Sequence, residues 1–206
     1  MPDMDTGASA DSVTADWHQC RVTLPAPHNW LVLDLTAPRP GEWARSAADE
    51  HFSADVPDAW REAFAEDVLW YRDVAARQEA LCAALLAPQD GGVAAFYCVR
   101  ELRGVPPQSL RLDVLRAEAE NAEGPFFRPP EISEVELPLG PALRVHRLEP
   151  TDPDAGSGSV LEGVAHYVLP RAHSTALECR LLWGALGLGE ELGRMADELA
   201  DSVRLV

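Results

Sequence analysis

Residues 55–87 form the longest uninterrupted helical pattern in this sequence, and they constrain the fold more than any other stretch. Pro57 fits the first turn of a helix, and Pro88 followed by two glycines ends it. Side chains recur at the three- and four-residue steps of an amphipathic stripe: Phe64, Val68, Tyr71, Ala75, Gln78, Cys82 and Leu85. A stripe this long must be buried, so the sequence predicts one long helix packed on a sheet.

The charge balance limits the partners that the chain can have. Its 206 residues include 34 acidic and 17 basic side chains, which gives a formal net charge of −17. Such a surface repels nucleic acid and anionic membranes, so we expect neither as a partner. A solvated acidic surface or a basic protein partner fits this charge.

All 17 basic residues are arginine, which excludes a Schiff-base lysine and the lysine of a phosphate-binding loop. The lysine-free composition, rich in Ala, Arg and Asp, is typical of a high-GC genome and indicates an actinobacterial source. Cys20, Cys82, Cys98 and Cys179 are scattered in apolar patterns, so we expect reduced, buried thiols. The first twenty residues lack a basic start with an apolar run, and no stretch has the length of a membrane span; we therefore predict a cytoplasmic protein.

Short apolar runs with strand-like alternation dominate the rest of the chain. Strands are predicted at 20–24, 30–35, 93–101, 163–170 and 175–183. Residues 132–137 and 142–148 form one bent strand or two. For 109–116 a strand is preferred, although a helix-forming AEAENAE follows, and 36–54 is predicted to be a connector with at most one helical turn.

The predicted fold is α+β, with an antiparallel sheet of about six strands packed with the long helix and a C-terminal helix at 190–203. The links between the late strands are too short for crossover helices, which favours the antiparallel arrangement. Residues 1–17 are small, acidic and aperiodic, so we expect a disordered arm before a single domain at 18–206. The sequence leaves open whether the helices cover one face of the sheet or both.

Pairing the late strands by turn length predicts a polar ladder on one sheet face. Arg144 then lies opposite His166, His166 lies opposite Glu178, and His146 and Arg180 fall on the same face one step along. Three interpretations are open for these residues. They form a solvated face of charge pairs, or a face that binds a ligand or partner. The third is a metal site, for which the ladder offers only two histidines.

Two other motifs lack the context that their chemistry requires. The glycine-rich segment 184–193 has no following βαβ unit, and its acidic residues would repel a pyrophosphate. Ser157 sits in a Gly-Ser repeat without a strand-to-helix elbow, so it does not fit a hydrolase nucleophile. We therefore expect no catalytic residue, no cofactor and no metal.

Six tryptophans are more than the core requires. Trp60 and Trp183 are predicted to be buried. Trp43, in a Pro-rich segment, and Trp70, one step off the helical stripe, are candidates for a contact surface because large aromatics are enriched in interface cores. The commoner alternative is that they anchor in the core or are half-buried.

Several segments resemble those of a known family. Leu-Pro at 24–25 leads to Trp-Leu-Val-Leu at 30–33, Glu-Leu-Pro-Leu-Gly-Pro-Ala-Leu-Arg occupies 136–144, and Tyr-Val-Leu-Pro occupies 167–170. This order, over residues 20–206, is similar to the PsbP-like or Mog-type α/β/α sandwich. The resemblance implies a mostly non-enzymatic binder, because the family includes a Ran-binding protein, a photosystem subunit, mycobacterial lipoproteins and effector chaperones.

The leading hypothesis is therefore a non-enzymatic protein-binding module, such as a chaperone, adaptor or immunity-type partner, that acts through one face of its sheet. The alternative is a small-molecule-binding protein or enzyme with a pocket between sheet and helix, lined by the histidines and arginines of the ladder.

Overall fold

The computed structural model describes residues 13–17, 20–103, 109–121, 127–150, 160–171 and 175–205. Within them, the elements in chain order are β1 (Val13–Trp17), β2 (Cys20–Leu24), β3 (Trp30–Val32), α1 (Pro40–His51), α2 (Asp58–Arg77), β4 (Ala80–Leu86), β5 (Ala95–Glu101), α3 (Leu112–Glu120), β6 (Glu131–Leu137), β7 (Gly140–Pro150), β8 (Val160–Val168), β9 (Leu177–Trp183), α4 (Gly189–Ser202) and β10 (Arg204–Leu205).

The central layer is an antiparallel sheet with the strand order β3-β4-β5-β9-β8-β7-β6. A second sheet, β1-β2-β10, is also antiparallel and is called the small sheet below. The predicted α+β class and antiparallel sheet are confirmed. The main sheet has seven strands rather than about six, and the stretch from 131 to 150 forms two strands, not one bent strand.

The long helix predicted at 55–87 is wrong in its second half. Helix α2 ends at Arg77, and Glu79 adopts a left-handed conformation with φ of 51° before β4 begins at Ala80. Strand β4 lies between two other strands and is buried along most of its length. A strand buried on both faces shows no alternation of apolar and polar residues, so its pattern imitates a helix.

Two further helices replace predicted irregular or strand structure. The predicted connector at 36–54 contains α1, which starts with Pro40 and buries Ala44, Ala47 and Ala48. The strand preferred at 109–116 is wrong, because α3 forms over Leu112–Glu120 and buries Leu115. The buried stripe of α1 consists of alanines, and α3 buries a single leucine. An amphipathic pattern built from so few or such small apolar side chains is weak in the sequence.

Helices cover both faces of the main sheet. On one face, which we call the α4 face, α4 and the small sheet pack against Val164, Cys179 and Leu181. On the opposite face, which we call the α2 face, α1 and α2 cover the β3–β5 end. Helix α3 covers Leu143 and Val145 at the other end of that face. The centre of the α2 face therefore lies between the α1–α2 pair at one end and α3 at the other.

The predicted N-terminal arm at 1–17 includes a strand, because β1 pairs with β2 over Val13–Trp17. Residues 1–12 lie outside the described residues. No helix in the described part of the chain is both long and apolar enough to cross a membrane.

Candidate functional site

The strand register divides the predicted polar ladder between two faces. Arg144 lies opposite His166, as predicted, but His166 lies opposite Cys179 rather than Glu178, which pairs with Tyr167. Side chains alternate between faces along a strand, so this one-residue difference moves a whole set of β9 residues to the other face. Arg144, His146 and His166 consequently lie on the α4 face, and Glu178 and Arg180 lie on the α2 face. Turn length alone was too imprecise to set this register.

On the α4 face, Asp197 of α4 joins two of the predicted residues. Its Oδ1 accepts a hydrogen bond from Arg144 Nε at 2.7 Å and lies 3.0 Å from His166 Nε2. Partial burial raises the pKa of Asp197, but the hydrogen bonds from His166 and Arg144 and the charge of Arg144 outweigh it and leave the pKa lowered. The carboxylate therefore stays ionised and holds α4 to β7 and β8.

A groove of about 550 Å³ runs beside this cluster between α4 and the β6–β7 edge of the sheet, and we call it the α4 groove. It is lined by Val135, Leu137, Arg144, His166, Asp197, Glu198 and Asp201. His166 is 2% exposed, and its Nδ1 has no hydrogen-bond partner among the described residues. The groove is shallow, and the histidine beside it is buried with its Nε2 already in contact with Asp197.

His146 takes part in a different cluster near the start of α4. The buried carboxylate of Glu162 accepts hydrogen bonds from His146 Nε2 at 2.7 Å and from Trp183 Nε1 at 3.0 Å. It also lies against Gly189, the first residue of α4, where a helix N-terminus favours negative charge. His146 Nδ1 also lies 3.5 Å from Oε2 of Glu131, so the contacts of this cluster are within the protein and fit a structural network.

The remaining ladder residues form ion pairs in the centre of the α2 face. Glu178 is buried and pairs with Arg100, and Arg180 pairs with Glu149. Beside them, Arg147 Nη2 donates to the Tyr167 hydroxyl at 2.7 Å. Burial and the nearby Glu178 carboxylate raise the pKa of Tyr167. The predicted ladder therefore does not converge on one pocket, and His146, His166 and Arg180 do not meet.

The most exposed aromatic surface among the described residues lies along one side of α2. Trp60, Ala63, Asp67, Trp70 and Val74 follow one another at three- and four-residue steps, which places them on one stripe of the helix. We call this stripe the α2 flank. Trp60 and Trp70 are 61% and 58% exposed, so the prediction that Trp60 is buried is wrong. Trp70, the candidate contact residue, is exposed, and its role in binding remains a prediction.

Two depressions adjoin the α2 flank. The first, of about 280 Å³, is lined by Phe52, Trp60, Ala63, Phe64, Asp67 and Gly92. The second, of about 230 Å³, lies between α2 and the sheet and has Trp70 at one side. Its walls include Tyr71, Phe96, Leu161, Leu182 and Arg180. This second depression brings together two predicted site residues, Trp70 and Arg180.

Aromatic rings connect the second depression to the core. Trp70 meets Tyr71 edge-on at a centroid distance of 4.7 Å, and Tyr71 meets Phe96 at 5.1 Å. Because Tyr71 and Phe96 are fixed by the packing beneath α2, the orientation of Trp70 is supported by contacts on one side.

Carboxylates surround the two exposed tryptophans. Glu62, Glu66 and Asp67 are exposed on α2, and Asp73 is half-buried near its end. Burial and the neighbouring Glu66 raise the pKa of Asp67. The flank is therefore apolar and negatively charged, and a cation placed beside Asp67 would relieve the repulsion between the two carboxylates.

Trp43, the other predicted contact residue, lies elsewhere. It is half-buried on α1 and packs against the core beneath α1 and α2. No group of three or more His, Cys, Asp or Glu side chains that could hold a metal ion occurs within the described ranges.

Sequence reasoning did not single out Asp197, Glu162 or the exposure of Trp60. Asp197 is one of several acidic residues in α4, and Glu162 is a single acid in an apolar strand, so neither has a distinguishing signal. The exposure of Trp60 has none either, because Trp60 lies four residues before the buried Phe64, at the spacing of the inner stripe.

The fold and sites define an α+β sandwich with an exposed aromatic helix flank. No family model matches the sequence, and no curated protein matches it. Among solved structures, the chain is similar to LpqN, described as involved in cell envelope biogenesis of Mycobacterium tuberculosis. The match has 12% sequence identity and a TM-score of 0.39, and it covers 95% of this chain and 90% of LpqN. At that level of similarity no function is transferred.

Proposed function

We propose that this protein is a non-enzymatic, cytoplasmic binding module that engages another protein through the α2 flank and the adjoining strip of the α2 face. The observation that carries the proposal is the exposure of Trp60 and Trp70, at 61% and 58%, on one stripe beside two depressions. The sheet contributes to this surface, because Arg180 and Leu182 of β9 line the second depression.

Exposed tryptophans at a depression are the kind of residue that dominates binding energy. Tryptophan is enriched among interface residues whose truncation costs about 2 kcal/mol or more. Two tryptophans on one helix stripe also leave a larger apolar surface in water than scattered single residues do. Covering both at once would stabilise a complex without any rearrangement of α2.

The partner that fits this surface is a protein segment with apolar anchor side chains flanked by Lys or Arg. Apolar anchors match the two depressions, and basic residues match Glu62, Glu66 and Asp67 on the same helix. The overall charge of −17 would steer a basic partner toward the protein and would weaken that attraction as salt is added.

The experiment compares the wild-type chain with the double variant W60A/W70A. Each would be used to capture partners from a lysate of the source organism, and the affinity of the purified partner would then be measured by calorimetry. We expect the double variant to bind at least about tenfold more weakly, because two anchor tryptophans are removed. The change E66Q/D67N should reduce the salt dependence of binding with a smaller loss of affinity.

The matched control is F127A, which removes an aromatic ring that is 60% exposed outside α2. Both variants change exposed residues, so the free energy of unfolding of each should remain within about 0.5 kcal/mol of the wild-type value. Equal affinity of W60A/W70A and wild type for the captured partner would refute the proposed surface, as would an equal loss of affinity with F127A.

A second candidate function follows from the α4 groove. Arg144, His166 and Asp197 stand at one side of a space of about 550 Å³, with Glu198 and Asp201 nearby. These groups match the alternative of a small-molecule site lined by His and Arg, for a ligand that carries a cation. A thermal-shift screen of amines against wild type and D201N would test it: a stabilising ligand that loses its effect in D201N supports the groove.

A further inference from the structure

Two buried thiols meet where the small sheet packs on the main sheet. Cys20 starts β2, Cys82 lies in β4, and both side chains are fully buried. Their sulfur atoms are 3.2 Å apart, although 62 positions separate the residues in sequence. This contact is independent of the α2 flank and has no part in the proposed protein binding.

The geometry is close to that of a covalent cross-link. A disulfide bond is about 2.05 Å long, so the two sulfur atoms need to approach by only about 1 Å. The pairing of β4 with β5 shifts register between Ala80 and Cys82, which marks a bulge directly beside the thiol. A bulge is a local irregularity that can absorb a small shift without disturbing the rest of the strand.

We propose that Cys20 and Cys82 form a disulfide that locks the small sheet onto the main sheet when the surrounding thiol pool is oxidised, with a low-molecular-weight disulfide such as oxidised glutathione as the oxidant. In a reducing cytoplasm both residues remain thiols. The Cys20 or Cys82 thiolate attacks the oxidant, one glutathione thiol leaves, and a mixed disulfide forms. The second cysteine then displaces the other glutathione as a thiol. Two protein thiols are oxidised to one sulfur–sulfur bond, and one glutathione disulfide is reduced to two thiols.

The packing determines when this exchange takes place. Thiolates rather than thiols carry out the exchange, and burial together with the nearby Cys20 thiol raises the pKa of Cys82 well above its ordinary value. In the folded protein the Cys82 thiol is protonated, and both side chains are enclosed. The cross-link therefore forms during folding or while β2 is detached from the main sheet, and afterwards it is shielded from reductants.

The other two cysteines are poorer candidates for cross-linking. Burial raises the pKa of Cys98 to about 12, and Cys98 lies on the α2 face, away from the pair. Burial also raises the pKa of Cys179, which shares the α4 face with Cys82. Cys179 is separated from Cys82 by the intervening strand residue Val99, with which both pair.

The test refolds the wild-type chain from urea in a buffer of reduced and oxidised glutathione, with a reduced sample as the control. We expect the free thiols to fall from four to two, and the link to join Cys20 to Cys82. Trypsin leaves Cys82 and Cys98 in one peptide, because no arginine or lysine lies between Arg77 and Arg100. A second digestion with chymotrypsin at Phe96 and Tyr97 separates them.

The cross-linked sample should melt about 5 °C or more above the reduced one, since a disulfide closing a long loop restricts the unfolded chain. The variant C20A should keep its three thiols under the same conditions. A link through Cys98 or Cys179, glutathione adducts without an internal link, or a cross-linked sample that melts no higher would each overturn the proposal. Mapping the disulfide by proteolysis needs only the wild-type protein, so that test remains valid even if C20A does not fold.

Discussion

Asp197 shows how one half-exposed carboxylate can fix two buried or partly buried groups. It gathers Arg144 and His166 from neighbouring strands onto α4, at 2.7 and 3.0 Å. Its own side chain is 45% exposed, so water weakens the interaction and the net contribution to stability is modest. What the contact fixes is the position of α4 along the sheet.

The change D197N should lower the free energy of unfolding by about 1 kcal/mol at neutral pH, because a charge-assisted contact becomes a neutral one in a half-exposed setting. A carboxyl with a lowered folded pKa stabilises the protein above its ordinary value of 3.8, and this contribution is lost as the pH falls through the folded pKa. Urea unfolding at pH 7 and below pH 3.8 would measure both effects.

For this prediction D201N is the matched control, since Asp201 is an exposed carboxylate of the same groove. The free energy of unfolding of D201N should lie within about 0.5 kcal/mol of the wild-type value. A D197N deficit that persists unchanged below pH 3.8 would show that the loss comes from packing and not from the ionised carboxylate.

Gly189 is the second residue whose identity matters. A Cβ at this position would lie 2.6 Å from Oε2 and 2.9 Å from Oε1 of Glu162. The carboxylate cannot withdraw freely, because His146 and Trp183 hold it by hydrogen bonds. We expect G189A to lower the free energy of unfolding by about 1–2 kcal/mol, within the range for overpacked sites.

The neighbouring glycine provides the control, because a Cβ at Gly187 meets nothing within 4 Å. Chemical unfolding of G187A should match the wild type to within about 0.5 kcal/mol. If G189A were as stable as G187A, the Glu162 carboxylate would not be held in the way described.

At the scale of elements, the junction between α2 and β4 decides the topology. Helix α2 stops because Glu79 takes a left-handed conformation, and β4 then enters the sheet between β3 and β5. The apolar periodicity of segment 80–86 is also that of a continued helix, which gave the prediction of a helix of about nine turns. The left-handed residue separates α2 from a central strand that pairs on both sides.

The change E79G should raise the free energy of unfolding by about 0.5–1 kcal/mol, because glycine adopts this left-handed position at a helix end without strain. Thermal or urea unfolding would measure it. The control is E79A, which also removes the ion pair with Arg103 but keeps a Cβ in the strained conformation. An E79A protein as stable as E79G would show that the backbone conformation carries no cost.

Elements were predictable where the period of the apolar pattern was unambiguous. Strands β5, β8 and β9 and helix α4 alternate or repeat clearly, and they are close to their predicted positions. Strand β4 and helices α1 and α3 were missed because full burial removes alternation from β4 and because small residues weaken the two helical stripes. The antiparallel class followed from the short links, which are insensitive to these errors.

At the scale of the whole molecule, the site was harder to predict than the fold. The pairing of Arg144 with His166 was correct, yet a one-residue difference in β9 placed Glu178 and Arg180 on the opposite face. The exposure of Trp70 agrees with its place one step off the helical stripe. Asp197 comes from α4, distant in sequence, and only the three-dimensional packing brings it to His166. Glu162 lies on the strand next to His146, but nothing in the sequence marks it as a partner of that histidine.

The position of β10 has a consequence for the order of events during synthesis. Strand β10 pairs with β2, and Ser202 at the end of α4 exchanges hydrogen bonds with Thr23 of that strand. On a ribosome, β2 emerges among the first described elements, while its neighbours Ser202 and β10 emerge last. The small sheet therefore closes only after translation has passed residue 205, and a nascent chain that stalls earlier exposes an unpaired β2 edge to chaperones and proteases.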